Sequence, residues 1–284
     1  MLLNKPEYIN VGGKLLELQV PKVMGIINVT PDSFYYGSRY TTEKDIITAA
    51  VKMIEEGADI LDVGGYSSRP GAEDISGEEE AKRVFGAIKL ILKELPEAII
   101  SIDTFRAEIA EKAVMEYGAH IINDISGGEA DQKMFSVVKK LNVPYIMMHM
   151  IGNPRTMVKQ AFYDDITADI LKWFSGKIFE LRSGGVKDII IDPGFGFSKN
   201  IAHNFELLRR LGEISIAGLP VLVGLSRKSM IWKTLGISPD EALNGTTALN
   251  AIALNNGADI LRVHDVKEAV QTIRLLDKIK RKDF

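Results

Sequence analysis

Apolar runs that end on a polar residue recur eight times along the chain, and each is followed by a stretch with helical periodicity. The runs lie at 23–29, 58–63, 99–102, 120–122, 144–148, 188–191, 220–225 and 259–263. Most are continuously apolar rather than alternating, which is typical of parallel strands covered on both faces. Eight successive strand–helix units predict an α/β fold, a single (β/α)8 or TIM barrel.

Turn and capping signals divide the rest of the chain into helices and one hairpin. Helices are predicted at 42–56, 77–95, 106–117, 130–141, 166–182, 201–211, 239–256 and from 266 onward. Two short strands around Gly12 and Gly13 predict an N-terminal β-hairpin that closes the bottom of the barrel. Because no linker or low-complexity segment interrupts residues 1–284, we expect one domain.

An open, doubly wound sheet would also alternate strands and helices. Its first turn usually carries Gly-x-Gly-x-x-Gly, which is missing here, and eight units exceed its usual number of about six strands. The barrel is therefore the favoured interpretation.

Polar side chains stand at or just beyond the ends of the apolar runs, where barrel enzymes carry their active sites. They are Asn28, Asp62, Asp103, Asn123, His149, Asp192, Ser226 to Ser229, Arg262 and His264. One such carboxylate could simply cap a helix or pair with a cation. We expect Asp62 to support the loop that follows the second apolar run, called the second loop below, and His149 to be a buried barrel histidine. Several charged side chains gathered at one barrel mouth would carry a high desolvation cost without a polar ligand, so the set predicts a polar substrate.

These side chains fall into two chemical groups. Asp103, Asn123 and Asp192 could hold a flat heterocycle with several N–H donors, because carboxylates accept paired donors well. The second group suits a phosphate or diphosphate and comprises Asn28, Ser67, Ser68, Arg69, Lys228, Arg262 and His264. Asn28 also offers a hard oxygen compatible with Mg²⁺ shared with a phosphate.

Bulk properties narrow the class of protein. The length of 284 residues suits one barrel, which typically takes about 250. A net charge of −3 argues against nucleic acid as the main partner, and the absence of cysteine excludes disulfides and thiolate catalysis. No apolar run approaches the roughly 20 residues of a membrane span, and the first residues lack an apolar signal core. We expect a cytoplasmic protein with no membrane partner.

Eight segments in order resemble the dihydropteroate synthase family. They are NVTPDSF at 28–34, DVGGYSSRPG at 62–71, SIDT at 101–104, IND at 122–124, MHMIGNP at 148–154, DPGFGF at 192–197, SRKS at 226–229 and RVHD at 262–265. Any one is a weak signal, but the ordered set covers nearly the whole chain and is highly specific.

The resemblance implies a transferase of folate biosynthesis that sulfonamides inhibit. Such an enzyme condenses 6-hydroxymethyl-7,8-dihydropterin diphosphate with 4-aminobenzoate and releases 7,8-dihydropteroate and pyrophosphate. The family also implies a homodimer, for which apolar faces of late helices such as 237–254 are candidates.

The family's site residues transfer position by position. The pterin would be held by Asp103, Asn123, Asp192 and Lys228, with Met148 lining its pocket. The diphosphate and Mg²⁺ would contact Asn28, Arg262 and His264, with Asn28 as the metal ligand. The 4-aminobenzoate site would comprise Ser68, Arg69, Pro70, Phe197 and Ser229. Asp103, Lys228 and Arg262 are the expected catalytic residues.

The second loop departs from the family pattern. The family usually has Glu-Ser-Thr-Arg-Pro there, whereas this chain has Tyr66-Ser67-Ser68-Arg69-Pro70. Tyr66 removes a charge, and Ser68 keeps the hydroxyl but loses a methyl group.

Two other functions share the pterin-holding residues. A methyltetrahydrofolate–corrinoid methyltransferase would not need the Asn28 loop, Ser68 and Arg69, or the pair Arg262 and His264. A noncatalytic pterin-binding paralogue is the other alternative. Retention of both polar groups argues against it.

Overall fold

The computed structural model describes residues 5–30, 42–67, 74–152 and 162–280. Within these ranges an antiparallel hairpin, β1 (Tyr8–Val11) and β2 (Lys14–Glu17), precedes eight parallel strands. These are β3 (Lys22–Asn28), β4 (Ile60–Gly64), β5 (Ile100–Asp103), β6 (Ile121–Asp124), β7 (Tyr145–Met148), β8 (Ile189–Asp192), β9 (Leu222–Val223) and β10 (Ile260–Val263).

The eight parallel strands form a barrel. Their hydrogen-bonded order is β8-β7-β6-β5-β4-β3-β10-β9, and a parallel bridge between Ile191 and Val221 brings the two edge strands together. The predicted barrel with an N-terminal hairpin is confirmed.

Helices follow the strands around the outside of the barrel. They are α1 (Glu43–Glu55), α2 (Gly77–Glu94), α3 (Ala107–Tyr117), α4 (Met134–Leu141), α5 (Ile166–Ser183), α6 (Ile201–Arg209), α7 (Leu211–Ile214), α8 (Ser229–Leu235), α9 (Leu243–Asn255) and α10 (Val266–Lys280). Thr42 and Ser76 cap α1 and α2 by accepting the amide protons of Asp45 and Glu79. None of the helices in these ranges is both long and apolar enough to cross a membrane.

Several predicted helix bounds are wrong. Helix α4 begins at Met134 rather than 130, because Asp131 accepts the amide protons of Lys133 and Ala107 and holds the preceding residues in a turn. The predicted helix 201–211 is divided into α6 and α7, and α9 starts later than predicted. Helix α8 was not predicted, because seven residues are too few to show a clear period.

The hairpin seals the bottom of the barrel, as predicted. Its buried Ile9 and Val11, with Leu18, pack against side chains near the strand starts. Those side chains are Met24, Ile60, Ile121, Ile146, Ile190, Leu222 and Ile260. The turn needs glycine, because Gly12 has φ 60° and a β-carbon there would lie 2.7 Å from the His120 ring.

Strand geometry places the polar residues directly above this apolar layer. Successive side chains of a strand point to opposite faces, so the residue two positions after each member of the apolar layer also faces the lumen. They include Asp62, Asn123, Met148, Asp192 and Arg262. The residues between them, such as Leu61, Ile122 and Ile191, join the core beneath the helices.

Candidate active site

Arg262 of β10 connects two carboxylates across the barrel lumen. Its Nε donates to Asp62 Oδ2 at 2.6 Å, and its Nη2 donates to Asp103 Oδ2 at 2.6 Å. Asp62 Oδ2 also accepts a hydrogen bond from Asn123 Nδ2 at 3.0 Å. Strand β3 separates β4 from β10, and β5 separates β4 from β6, so these bonds cross the lumen.

Burial gives this cluster unusual electrostatics. Asp62 is fully buried, whereas the side chains of Asp103 and Arg262 are 18% and 21% exposed. Burial, together with nearby carboxylates, raises the pKa of Asp103, and Arg262 opposes the shift. Burial disfavours the charge on the Arg262 guanidinium, but the attraction of Asp62 and Asp103 is stronger than this effect, so the pKa of Arg262 is raised. The cluster therefore concentrates negative charge around one fixed cation.

Asp192 and Lys228 are two further charged residues beside this cluster, and they interact electrostatically. Asp192 is buried at the end of β8, and its Oδ1 accepts the Gly194 amide at 2.7 Å. Lys228 donates to the carbonyl of Phe195, and its Nζ lies 4.9 Å from the centre of the Phe197 ring. Burial lowers the pKa of Lys228 to about 8, and Asp192 opposes the shift. Asp192 can accept from a ligand N–H, and Lys228 can donate to a ligand carbonyl or ring nitrogen.

Gly224 keeps space open between Lys228 and Arg262. A β-carbon there would lie 3.7 Å from Lys228 Nζ and 3.8 Å from Arg262 Cβ. Any larger side chain would therefore extend towards the gap between the two cations.

His264 is a neutral hydrogen-bonding group at the mouth. Ser226 Oγ accepts the His264 amide at 3.2 Å and lies 3.0 Å from its Nδ1. Burial and the neighbouring Arg262 and Arg227 lower the pKa of His264 to about 3. An uncharged imidazole can bind an oxyanion only as a hydrogen-bond donor.

An apolar wall borders the charged groups. Ile125, Met148 and Met150 form a small buried cluster, and Phe105 and Phe197 pack against it. Phe195, by contrast, is fully buried in the main core. Met148 and Phe197 thus lie where a flat ring between the charged residues would meet an apolar surface.

The remaining predicted residues are only partly accounted for. Asn28 is the last residue of β3, half-buried and paired in register with Gly64. Ser229 is the half-buried first residue of α8. Ser68, Arg69 and Pro70 lie outside the described residues.

Two expectations for single residues have different outcomes. His149 is the expected buried histidine, packed edge-on against Trp173. Asp62, expected to support the loop after β4, contacts Arg262 and Asn123, while residues 68–73 of that loop lie outside the described residues.

The contacts of two further cations were not predicted from the sequence. Arg227, at φ 54°, is 5% exposed and donates two 2.9 Å hydrogen bonds to Asp265. This pairing leaves Arg262 free to bind Asp62 and Asp103. Lys199 contacts His149 at 3.1 Å. Lys199 follows the segment at 192–197 and Arg227 lies within the segment at 226–229. Both resemble surface cations in sequence, and the one available signal was their place beside strand ends.

The protein itself supplies no full metal site in the part of the chain that the structure describes. No group of three or more His, Cys, Asp or Glu side chains there could hold a metal ion.

Comparisons with known proteins agree with this geometry. Residues 24–264 match the family model described as pterin binding enzyme. The chain is 43% identical over 267 residues to dihydropteroate synthase of Escherichia coli strain K12, covering 93% of this chain and 94% of that protein.

Solved structures give the same result. A crystal structure of Yersinia pestis dihydropteroate synthase with a sulfonamide drug complex superposes with a TM-score of 0.92 at 37% identity, covering 96% of this chain and 99% of that one. Xanthomonas albilineans dihydropteroate synthase with 4-aminobenzoic acid superposes with a TM-score of 0.87 at 36% identity, covering 96% and 98%.

Proposed function

The chain belongs to the pterin-binding enzymes and, within them, to the dihydropteroate synthases, and we propose that the residues at its barrel mouth perform that reaction. The enzyme is a transferase that condenses 6-hydroxymethyl-7,8-dihydropterin diphosphate with 4-aminobenzoate to give 7,8-dihydropteroate and pyrophosphate. The observation that supports this assignment most is the lumen-crossing Asp62–Arg262–Asp103 cluster beside Asp192 and Lys228.

The pterin would lie flat in the lumen above the apolar layer. Asp103, Asn123 and Asp192 would bind its N–H groups, because buried carboxylates favour charge-assisted hydrogen bonds. Lys228 would donate to the ring, and Met148 would cover part of one face. Arg262 is held in place by two carboxylates and would lie against the ring.

The reaction exchanges one bond for another at the pterin methylene. The carbon–oxygen bond to the diphosphate breaks, the amine nitrogen of 4-aminobenzoate forms a bond to that carbon, and the nitrogen then loses a proton. Breaking the first bond leaves positive charge on the methylene and ring. The fixed carboxylates Asp103 and Asp192 would stabilise that charge, which is a preorganised electrostatic effect.

The leaving diphosphate would be held by Arg262, His264 and Asn28. The neutral His264 would act as a hydrogen-bond donor, consistent with its low pKa. Because the arylamine is already a nucleophile, no strong general base has to act first.

Magnesium fits this arrangement only as an ion shared with the substrate. Arg262 already binds Asp62 and Asp103, and the described residues contain no carboxylate cluster for a metal. Asn28 would supply one oxygen ligand, and the diphosphate and water would supply the others, as is common for Mg²⁺. The ion would neutralise charge on the departing pyrophosphate.

The 4-aminobenzoate would bind between Phe197, Ser229 and the second loop. Phe197 lies against the Met148 cluster and beside Lys228, so its ring already provides one wall against which the 4-aminobenzoate ring would lie. Ser68, Arg69 and Pro70 would complete the site.

We also propose a cytoplasmic homodimer. Ile252 lies on α9 within the range 237–254 predicted to associate and is 45% exposed, and Leu235 at the end of the preceding α8 is 56% exposed. Light scattering of the wild type and Ile252→Lys tests this proposal, and a wild-type monomer would refute it.

The function is tested with purified protein, the dihydropterin diphosphate and Mg²⁺, with and without 4-aminobenzoate. We expect dihydropteroate and pyrophosphate in equal amounts, only with 4-aminobenzoate, and inhibition by a sulfonamide. Tight binding of methyltetrahydrofolate without Mg²⁺, and no dihydropteroate, would instead support the corrinoid methyltransferase alternative. Pterin binding without either result would indicate a noncatalytic binder.

A further inference from the structure

Lys199 uses all of its hydrogen-bonding capacity inside the protein. Its Nζ donates to the carbonyl oxygens of Gly194 and Phe197, each at 3.0 Å, and lies 3.1 Å from His149 Nδ1. A lysine ammonium has three N–H donors, and these three acceptors match them. His149 Nδ1 is then an acceptor, which places the imidazole proton on Nε2.

The loop that Lys199 holds has an unusual backbone. Gly194, Gly196 and Ser198 all have positive φ, at 74°, 79° and 45°. A β-carbon on Gly194 would lie 2.1 Å from the His149 carbonyl oxygen, so the loop runs directly against the end of β7. A serine in this region persists only where its surroundings fix it. Tyr163 provides one such contact by donating to the Ser198 carbonyl at 3.0 Å.

The same loop carries groups from both halves of the proposed site. Asp192 stands at its start and accepts the Gly194 amide. The Phe195 carbonyl accepts from Lys228, and the Phe197 ring lies beside the Lys228 ammonium. A change in the loop would therefore move the pterin-side pair and the arylamine-side ring together.

We propose that Lys199 is a positioning residue whose ammonium holds the 193–198 loop so that Asp192, Lys228 and Phe197 are correctly placed for both substrates. The inference rests on the proposed function, since it assigns those three residues to the substrates. Burial lowers the pKa of Lys199 to about 7, and Asp192 opposes the shift while Lys228 adds to it. The Lys199 ammonium therefore has a high desolvation cost, which the loop carbonyls and His149 offset.

The test compares Lys199→Met with the wild type and with Lys172→Met, which removes an exposed lysine of α5 as a matched control. We measure the affinity for the unreactive alcohol 6-hydroxymethyl-7,8-dihydropterin by calorimetry, and KM and kcat for both substrates, well below the melting temperature. Lys199→Met should weaken pterin binding and raise KM for 4-aminobenzoate about tenfold each. Lys172→Met should match the wild type.

Unchanged pterin affinity and unchanged KM values in folded Lys199→Met would overturn the proposal. If that variant does not fold, Lys199→Gln, which keeps two N–H donors without the charge, is measured in the same way and should show the same two losses. Nitrogen NMR of the wild type should show His149 Nδ1 unprotonated, and a protonated Nδ1 would also overturn the proposal. A wild type that makes no dihydropteroate would refute the proposed function, while calorimetry and NMR would still test Lys199.

Discussion

Asp103→Asn separates the role of this carboxylate in catalysis from its role in stability. The substitution keeps the shape and removes the charge opposite Arg262 Nη2. Arg262 stays charged and the new amide oxygen can still accept its hydrogen bond, and burial already disfavours the Asp103 carboxylate, so the free energy of unfolding should change by no more than about 1 kcal/mol. Loss of one preorganised electrostatic contact to a transition state typically costs about 10²–10³ in kcat, or roughly 3–4 kcal/mol. Turnover should therefore fall far more than stability.

The assay measures dihydropteroate formation at saturating substrates and thermal unfolding of the same preparations. Asp59→Asn is the matched control, because Asp59 also pairs with a cation and a backbone amide but lies at the opposite end of the barrel. It should lower the melting temperature and leave kcat unchanged. Unchanged kcat in Asp103→Asn, or an equal loss in the control, would refute a central role for Asp103.

The pH profile supplies an independent readout of Asp103. Burial raises its pKa to about 7, and its carboxylate is the charged form above that value. If the carboxylate stabilises the cationic transition state, wild-type kcat/KM for the dihydropterin diphosphate, which reports ionisations of the free enzyme, should fall as the pH decreases through about 7. The variant should lack this decline, and a decline that persists in it must come from another group.

Three further predictions concern single substrates or ions. Ser68→Thr restores a methyl group worth about 0.8 kcal/mol and should tighten sulfonamide inhibition about fourfold; an unchanged inhibition constant would show that Ser68 does not contact the drug. The pKa of Lys228 is lowered to about 8 and the side chain is charged below that value, so wild-type pterin affinity should weaken as pH rises through about 8. Lys228→Met should bind the pterin weakly at every pH, and calorimetry of both proteins across this pH range tests the difference. Asn28→Ala should raise the Mg²⁺ concentration for half-maximal turnover several-fold, and an unchanged Mg²⁺ titration would exclude Asn28 as a ligand.

The barrel was predictable because its evidence is local. Each apolar run, terminal polar residue and capping signal lies within a few neighbouring positions, and the fold prediction needed only their repetition. Strand ends also indicated Asp103, Asn123, Asp192 and Arg262, since barrel geometry brings such positions to one mouth.

The pairings within the mouth were not predictable in the same way. Arg262 lies 200 residues from Asp62 and 159 from Asp103, and their contact depends on closure of the barrel. Lys199 and Arg227 resemble solvent-exposed cations in sequence, because the carbonyls and carboxylates that satisfy them meet only after the loops fold.

The balance of charge in the lumen gives a physical reason for the reaction it would favour. Asp62, Asp103 and Asp192 face the two cations Arg262 and Lys228, so the full set of charges leaves one carboxylate in excess. Burial raises the pKa of Asp103 and of Asp192, which means that this negative charge is held at a cost. A positive charge that develops between these groups lowers that cost, and it does so most in the transition state, when the diphosphate departs. A lumen built in this way favours loss of an anion from a bound ring over binding of the ring alone.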